Sequence, residues 1–168
     1  AIVRSGHRIV NGFGWGIGSA VINGALAAIY DKPDKHSDDQ LFVMPFPQFK
    51  TGEKELPELW EEYRQRMIKL AGICIIIFGN KIQDGVLVEA NGIRREFEIA
   101  RQHGLIPIPI PATGYLAKEI SAEISKDFKQ IYENNLNVVP LIERLFGLSH
   151  SDGDEIIKTV IQIIQEVN

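Results

Sequence analysis

The feature that most constrains the fold of this chain is a run of four glycines at alternating positions, Gly12, Gly14, Gly16 and Gly18. Glycine weakens the interior of both helices and strands, so the run is predicted to be a loop. A short strand is predicted before it, over residues 8–11, and an apolar helix after it, over residues 19–30. A strand, a glycine loop and a helix in this order are typical of phosphate-binding folds, because free N–H groups point at the ligand.

The glycine loop does not identify its ligand. Its spacing departs from Gly-x-Gly-x-x-Gly, no acidic residue ends the next strand, and no Gly-Lys-Ser/Thr follows. The loop therefore matches neither a dinucleotide-binding fingerprint nor a P-loop. A tight structural turn is the alternative interpretation.

The remaining pattern predicts an α/β fold. Residues 73–78 are unbroken and apolar, which is typical of a central parallel strand covered on both faces. Further strands are predicted at residues 41–44 and 105–108. Helices are predicted at residues 57–69, 92–102, 117–132, 139–146 and 154–167, the last with a single apolar stripe. We therefore predict a Rossmann-like three-layer sandwich with a mainly parallel sheet and C-terminal helices.

Ligands of such sheets bind at the carboxyl ends of the strands. Besides the glycine loop, that edge receives Lys81, in a loop predicted from Gly79 to about Asn91, and residues 112–115. Lys81 could meet a phosphate as a point charge, although a lone loop lysine is more often solvated. Glu96, near the start of its predicted helix, could accept hydrogen bonds from ribose or simply favour the helix dipole.

Composition excludes several classes of function. The net charge is −4 and no block of basic residues occurs, which argues against nucleic-acid binding. The single cysteine, Cys74, excludes a disulfide within the chain, and the four histidines lack zinc-ligand spacing, so no metal site is predicted. No Gly-x-Ser-x-Gly motif or catalytic triad can be composed, so no catalytic residue is assigned. Without a membrane span or leader peptide, we expect a cytoplasmic protein.

Several segments together resemble one family. They are residues 8–26 (RIVNGFGWGIGSAVINGAL), Pro45-Phe-Pro-Gln, Tyr63-Arg-Gln-Arg-Met, Phe78-Gly-Asn-Lys, Glu96-Phe-Glu-Ile-Ala and Ala112-Thr-Gly-Tyr. In this order they resemble the SLOG domains that form the C-terminal sensors of Thoeris antiphage NAD hydrolases. The resemblance covers residues 1–168 as one nucleotide-sensing domain.

The resemblance implies a function and a site. Such a domain binds a cyclic ADP-ribose isomer made by a TIR-domain protein, and binding activates a sirtuin-like NAD hydrolase domain in the same chain. The infected cell then loses its NAD. Residues carried over by motif as ligand-binding are Arg64, Lys81, Glu96, Gly12, Phe13, Gly14, Gly16, Gly18, Thr113 and Gly114, with no further cofactor.

The resemblance also raises expectations about assembly and completeness. Family domains pair, and several aromatic residues fall in predicted loops, so we expect a dimer or tetramer formed through these domains. The first strand and small-residue loop of the fold are expected upstream of Ala1, where residues 1–5 read as the end of a helix.

Two other functions compete with the sensor. A Lonely Guy-like phosphoribohydrolase would carry Pro-Gly-Gly-x-Gly-Thr-x-Glu-Glu after the central strand. This chain has Phe78-Gly-Asn-Lys-Ile-Gln-Asp-Gly there, so we weigh against catalysis by this domain. Single-stranded DNA binding, as in DprA, fits poorly with the acidic charge.

Overall fold

Strands and helices alternate through most of the chain, and the computed structural model describes residues 1–14, 17–50 and 52–167. The strands are β1 (Ile9–Asn11), β2 (Leu41–Val43), β3 (Ile73–Ile76), β4 (Asn80–Gln83), β5 (Val86–Glu89) and β6 (Ile106–Pro109). The helices are α1 (Ile17–Asp31), α2 (Leu56–Ile68), α3 (Asn91–Gln102), α4 (Tyr115–Ile124), α5 (Phe128–Ile131), α6 (Val139–Gly147) and α7 (Gly153–Val167). The predicted α/β class, with parallel strands and C-terminal helices, is confirmed.

The chain divides into two compact units. Unit 1, Ala1–Ala71, contains β1 and β2, which pair in parallel with Ile9 opposite Leu41. Helix α1 connects the two strands and buries one face against them. One small core cluster of unit 1 consists of Val3, Ala25, Ala28 and Ile29, with Ile9 and Leu41 packed against it.

Unit 2, Gly72–Asn168, is built on β3 and β6, which also pair in parallel. Prolines alternate with isoleucines in β6. Because Pro107 and Pro109 have no N–H, only the isoleucines of β6 can donate backbone hydrogen bonds to β3. The amide of Ile110 continues it, donating to the carbonyl of Ile76 at 2.9 Å. The carbonyl of Pro107 accepts a hydrogen bond from the buried hydroxyl of Tyr132 at 2.7 Å.

The C-terminal helices close the core of unit 2. The single apolar stripe predicted for residues 154–167 is confirmed in α7, which buries Val160, Ile163 and Ile164. Helix α6 contributes the fully buried Ile142 and Leu145. Among the described residues, no helix is both long and apolar enough to cross a membrane.

Two predictions about elements are wrong. The predicted loop from Gly79 to Asn91 is instead an antiparallel hairpin of β4 and β5, with Lys81 opposite Val88. Its turn places Asp84 and Gly85 at positive φ, 52° and 77°, as a two-residue hairpin turn requires. The helix predicted over residues 117–132 is two helices, because Asp127 starts a new one by accepting from the amide of Gln130.

Candidate functional site

The glycine loop begins with a turn fixed by a side chain. The amide of Phe13 donates to Oδ1 of Asn11 at 2.6 Å, and Phe13 takes a left-handed backbone with φ of 53°. Beyond the gap at residues 15 and 16, the amide of Gly18 donates to the carbonyl of Gly14 at 3.1 Å. Gly16, one of the predicted ligand-binding residues, lies outside the described residues.

The described glycines of this loop differ in what surrounds them. A Cβ on Gly12 would lie 2.7 Å from the ring of Phe46 and 3.1 Å from Sδ of Met67. A Cβ on Gly18 would lie 3.1 Å from the carbonyl carbon of Phe13. Gly14 faces open space, with no atom within 4 Å of such a Cβ. Packing therefore accounts for Gly12 and Gly18, and Gly14 is the glycine that leaves backbone open to a ligand.

Arg64 lies close to the glycine loop through a shared neighbour. Its guanidinium carbon sits 5.1 Å from the centroid of the Phe46 ring, the ring that touches Gly12. Tyr63 also packs against Phe46, with ring centroids 6.1 Å apart. The indole N–H of Trp60 donates to the carbonyl of Pro47 at 2.7 Å and so fixes this segment to α2. Unit 1 thus brings Arg64 next to the loop, which sequence spacing alone did not show.

Of the two predicted site residues in unit 2, Lys81 does not lie in the predicted loop, whereas Glu96 lies in the predicted helix but further from its start. Lys81 is exposed on β4 of the hairpin, not in a loop. Glu96 is the sixth residue of α3, in mid-helix, so a first-turn dipole role does not apply to it. The side chain is half-buried, and its charge affects the pKa of Cys74 on the neighbouring strand. Burial raises the pKa of the Cys74 thiol to about 12, with the negative charge of Glu96 adding to the shift, so the thiol is protonated at neutral pH.

Thr113 connects the carboxyl ends of β3 and β6. Its hydroxyl accepts from the amide of Phe78 at 2.8 Å and donates to the carbonyl of Ile110 at 2.7 Å. Gly114 follows with φ of 77° and ψ of −164°, a backbone region open essentially to glycine alone. Thr113 and Gly114 are thus placed at the edge where ligands of parallel sheets bind.

Two exposed aromatic residues at this edge were not among the predicted site residues. Phe78 and Tyr115 have φ of 56° and 50°, which for a bulky side chain costs about 1–2 kcal/mol each. The two residues remain 38% and 48% exposed. The sequence signal that could have found them is an aromatic residue directly beside a glycine after a strand, which also describes Phe13.

Arg94 ties the hairpin to two helices. Its guanidinium is 2.8 Å from Glu123 and 3.7 Å from Glu119, both on α4. Its Nε is 3.6 Å from Glu89, at the end of β5. The side chain is only 28% exposed, so these contacts are screened less than ordinary surface pairs. Arg94 therefore helps to hold the Lys81-bearing hairpin against the rest of unit 2.

Other surfaces of the described residues suit an anionic ligand less well. A surface depression along α2 is lined by Leu59, Glu61, Glu62, Tyr63, Gln65 and Arg66. Its carboxylates would repel phosphate. Within the described ranges, no group of three or more histidine, cysteine or acidic side chains is arranged to hold a metal ion.

Comparison with known proteins gives a consistent family match. A family model described as STALD, the Sir2- and TIR-associating SLOG family, matches residues 1–167. A protein named NAD(+) hydrolase ThsA from Cytobacillus dafuensis is 39% identical over 163 residues, covering 97% of this chain and 33% of its own. Proteins of the same name from Bacillus cereus and Acinetobacter baumannii are each 35% identical, over 98% and 96% of this chain and 34% of theirs. The chain spans about a third of the length of these relatives.

Proposed function

Because the chain belongs to the Sir2- and TIR-associating SLOG family, we propose that it is a sensor domain that binds a cyclic ADP-ribose isomer. The observation that carries the proposal is the construction of the strand ends. In unit 1 the backbone is open at Gly14, with Arg64 close by through Phe46. In unit 2, Thr113 and Gly114 fix the loops that follow β3 and β6.

The chemistry of the proposed ligand suits the candidate residues. A cyclic ADP-ribose isomer carries two negative phosphates and free ribose hydroxyls in a closed ring. Arg64 can meet phosphate with a planar fork of donors and Lys81 as a point charge. Glu96 accepts hydrogen bonds from hydroxyls. Backbone N–H groups at Gly14 and at the start of α1 add a partial positive charge.

The proposal extends to the whole protein and its place in the cell. Its relatives bear the name NAD(+) hydrolase, and two-thirds of their length lies outside this chain. The signal would come from a TIR-domain protein after phage infection. Binding would release a sirtuin-like NAD hydrolase domain of the same chain in the cytoplasm, and loss of NAD would stop phage growth.

Self-association belongs to the same proposal. Phe13, Phe42 and Phe49 are 52%, 47% and 82% exposed, which is unusual for large aromatic residues of an isolated domain. We expect a dimer or tetramer formed through pairing of these domains. Sedimentation that shows only monomer at high concentration, with and without ligand, would contradict this part of the proposal.

The hairpin favours a sensor over a phosphoribohydrolase. Residues 80–89, which follow the strand where the enzyme relatives carry their glycine turn, are taken up by β4 and β5. Glu96 lies beyond the hairpin and inside α3, next to a protonated thiol. Glu96 is therefore not held by a tight glycine turn, as the catalytic carboxylate of the enzyme relatives would be.

Calorimetry on single variants tests the proposal. Arg64→Ala, Lys81→Ala and Glu96→Gln should each weaken binding of a cyclic ADP-ribose isomer by about tenfold or more, since a hydrogen bond to a charged group contributes about 1.5–3 kcal/mol. Linear ADP-ribose and NAD serve as competing ligands. AMP incubation with detection of free adenine checks for hydrolase activity.

Matched controls separate the site from general effects of charge and folding. Lys69→Ala and Lys158→Ala remove exposed cations on α2's C-terminal cap and on α7, and Glu98→Gln alters the same helix as Glu96. These variants should bind as the wild type does. Equal affinity in all six variants would place the site elsewhere, and release of adenine from AMP would favour the hydrolase.

A further inference from the structure

Two exposed aromatic side chains stand on strained backbone at the strand ends of unit 2, and we propose that Phe78 and Tyr115 bind the heteroaromatic base of a nucleotide ligand by stacking. The proposal rests on the proposed function for the class of ligand. It goes beyond that function because it assigns recognition of the base, which Arg64, Lys81 and Glu96 do not provide.

The backbone at these positions does not favour aromatic residues. With φ of 56° and 50°, both lie in the left-handed region, where glycine and asparagine are the favoured residues. Packing explains them only in part, because the two residues remain 38% and 48% exposed. A costly residue that leaves a large part of its surface exposed is typical of positions kept for a ligand.

Hydrogen bonds join the two loops and fix both backbones. The amide of Phe78 donates to the hydroxyl of Thr113, and its carbonyl accepts from the amide of Ala117, at 2.8 and 2.9 Å. These two partners flank Tyr115 in the sequence. Both aromatic residues are therefore carried on a prearranged backbone, which lowers the entropy lost when a ligand binds.

The next glycine strengthens this arrangement. Gly79, with φ of 98°, is buried so closely against α4 that a Cβ would lie 2.5 Å from Cβ of Leu116. The loop after β3 is thereby pressed onto the start of α4. Phe78 cannot relax its backbone without moving this contact.

Within the described ranges, the other residues with a left-handed backbone show that aromatic residues occur there only after parallel strands. Outside glycine, positive φ occurs among the described residues at Phe13, Phe78, Asp84 and Tyr115. Asp84 lies in the hairpin turn, where aspartate is an ordinary choice. The other three are exposed aromatic residues beyond the carboxyl end of a parallel strand. Stacking works with any base, since every base presents a π-face, and its energy is large enough to offset the strain of an aromatic residue at such a position.

Substitution by glycine tests the proposal, because it removes the ring and relieves the backbone at once. We expect Phe78→Gly and Tyr115→Gly to weaken binding of base-containing ligands by about 5–150-fold. Their melting temperatures should stay equal to that of the wild type or rise. Asp84→Gly is the matched control, since it relieves the same backbone conformation without removing a ring. Phe78→Trp and Tyr115→Phe keep an aromatic ring and should retain binding.

The ligand panel consists of a cyclic ADP-ribose isomer, ADP-ribose, AMP and ribose 5-phosphate, measured by calorimetry. Loss of affinity for the first three, with no change for base-free ribose 5-phosphate, supports the proposal. If the cyclic isomer binds wild type and both glycine variants equally, base stacking is overturned while the sensor function stands. If only AMP or ADP-ribose binds, in a ring-dependent manner, stacking stands and the cyclic signal is overturned.

Two further outcomes overturn the proposal. A wild-type protein that binds no member of the panel contradicts both stacking and the sensor function. Glycine variants that lose self-association in sedimentation, yet keep their affinity for every ligand, would show that the rings face a second copy of the chain.

Discussion

The two units support their strand ends in different ways. In unit 1 the loop after β1 requires residues without a Cβ, because Gly12 and Gly18 leave room for Phe46 and for the backbone of Phe13. In unit 2 the loops after β3 and β6 are bonded through Thr113 and lie over a large apolar core. Of the largest fully buried side chains described, Val3 alone belongs to unit 1.

The difference indicates that the strand ends of the two units would respond differently to a ligand. A loop held by side-chain hydrogen bonds over a well-packed core is rigid before a ligand arrives. The glycine loop of unit 1 has the hydrogen bond from Phe13 to Asn11 but lies over a smaller core, so its local stability is lower. We therefore expect the strand ends of unit 2 to be prearranged, and the glycine loop of unit 1 to gain most of its order on binding.

The largest expected effect is that of Gly79→Ala in unit 2. The new Cβ would meet Leu116 on a packed helix and would stand on a left-handed backbone, which together cost about 2–5 kcal/mol. Urea unfolding measures the loss. Gly85→Ala is the control, because it has a positive φ but no neighbour within 4 Å, and should cost only about 1–2 kcal/mol. Equal losses in the two variants would contradict the tight packing assigned to Gly79.

The next effect separates two glycines of unit 1. Gly12→Ala should cost about 1–3 kcal/mol, because the ring of Phe46 must move, and should also weaken ligand binding through Arg64. Gly14→Ala should leave stability unchanged or raise it by about 0.4–1 kcal/mol. It should still weaken ligand binding, because a Cβ would stand in the open space. A Gly14→Ala variant that binds normally would exclude phosphate contact at that residue.

A smaller effect is expected from Thr113→Val, which keeps the shape of the side chain and removes its hydroxyl. Loss of the hydrogen bonds to Phe78 and Ile110 should lower the free energy of unfolding by about 0.5–1.5 kcal/mol. Thr113→Ser retains the hydroxyl and should preserve ligand binding. If the Thr113→Val variant binds ligand as tightly as the Thr113→Ser variant, the hydroxyl is not what prearranges these loops.

The smallest effect, at pH 9, concerns the Cys74 thiol on β3 of unit 2. The pKa of Cys74 is raised in the folded protein to about 12 from 9.0, so its contribution to stability is complete only well below pH 9. The unfolded chain releases this proton first, so stability is lower by about 0.4 kcal/mol at pH 9 and falls further as pH rises towards 12. Cys74→Ala should flatten that part of the stability curve.

Alkylation gives an independent reading of the same thiol. Iodoacetamide at pH 8 should modify Cys74 in urea-unfolded protein and leave it nearly untouched in the native protein, because the thiolate is the reactive form. Equal rates of alkylation in the two states would show that the fold neither shields Cys74 nor keeps it protonated.

The fold class followed from local patterns in the sequence. Apolar runs, glycine loops and periodic stripes predicted α7 and the strands of a mainly parallel sheet, because each of these depends on burial of neighbouring residues; they did not predict which strands pair. The hairpin of residues 80–89 was missed even though Asp84-Gly85 is a strong turn signal. Its apolar residues Ile82, Val86 and Leu87 are exposed, so they do not show the one-sided alternation expected of a half-buried strand.

The site was harder to predict than the fold. Nothing in the spacing of Arg64 shows that its guanidinium lies over Phe46, since that contact depends on how the segment after β2 returns to α2. The strained backbones of Phe78 and Tyr115 are likewise set by tertiary hydrogen bonds. Local propensity disfavours both, so reasoning from propensity could only miss them.

Hydrogen–deuterium exchange with and without a cyclic ADP-ribose isomer tests the central claim most directly, because it locates binding without any substitution. We expect slower exchange of the backbone amides at residues 12–14 and 17–20 of unit 1 and at residues 78–81 and 113–117 of unit 2. The larger change should occur in unit 1, and α6 and α7 should not change. No protection at any strand end, or protection confined to α6 and α7, would contradict the claim that the chain senses a nucleotide at the carboxyl ends of its strands.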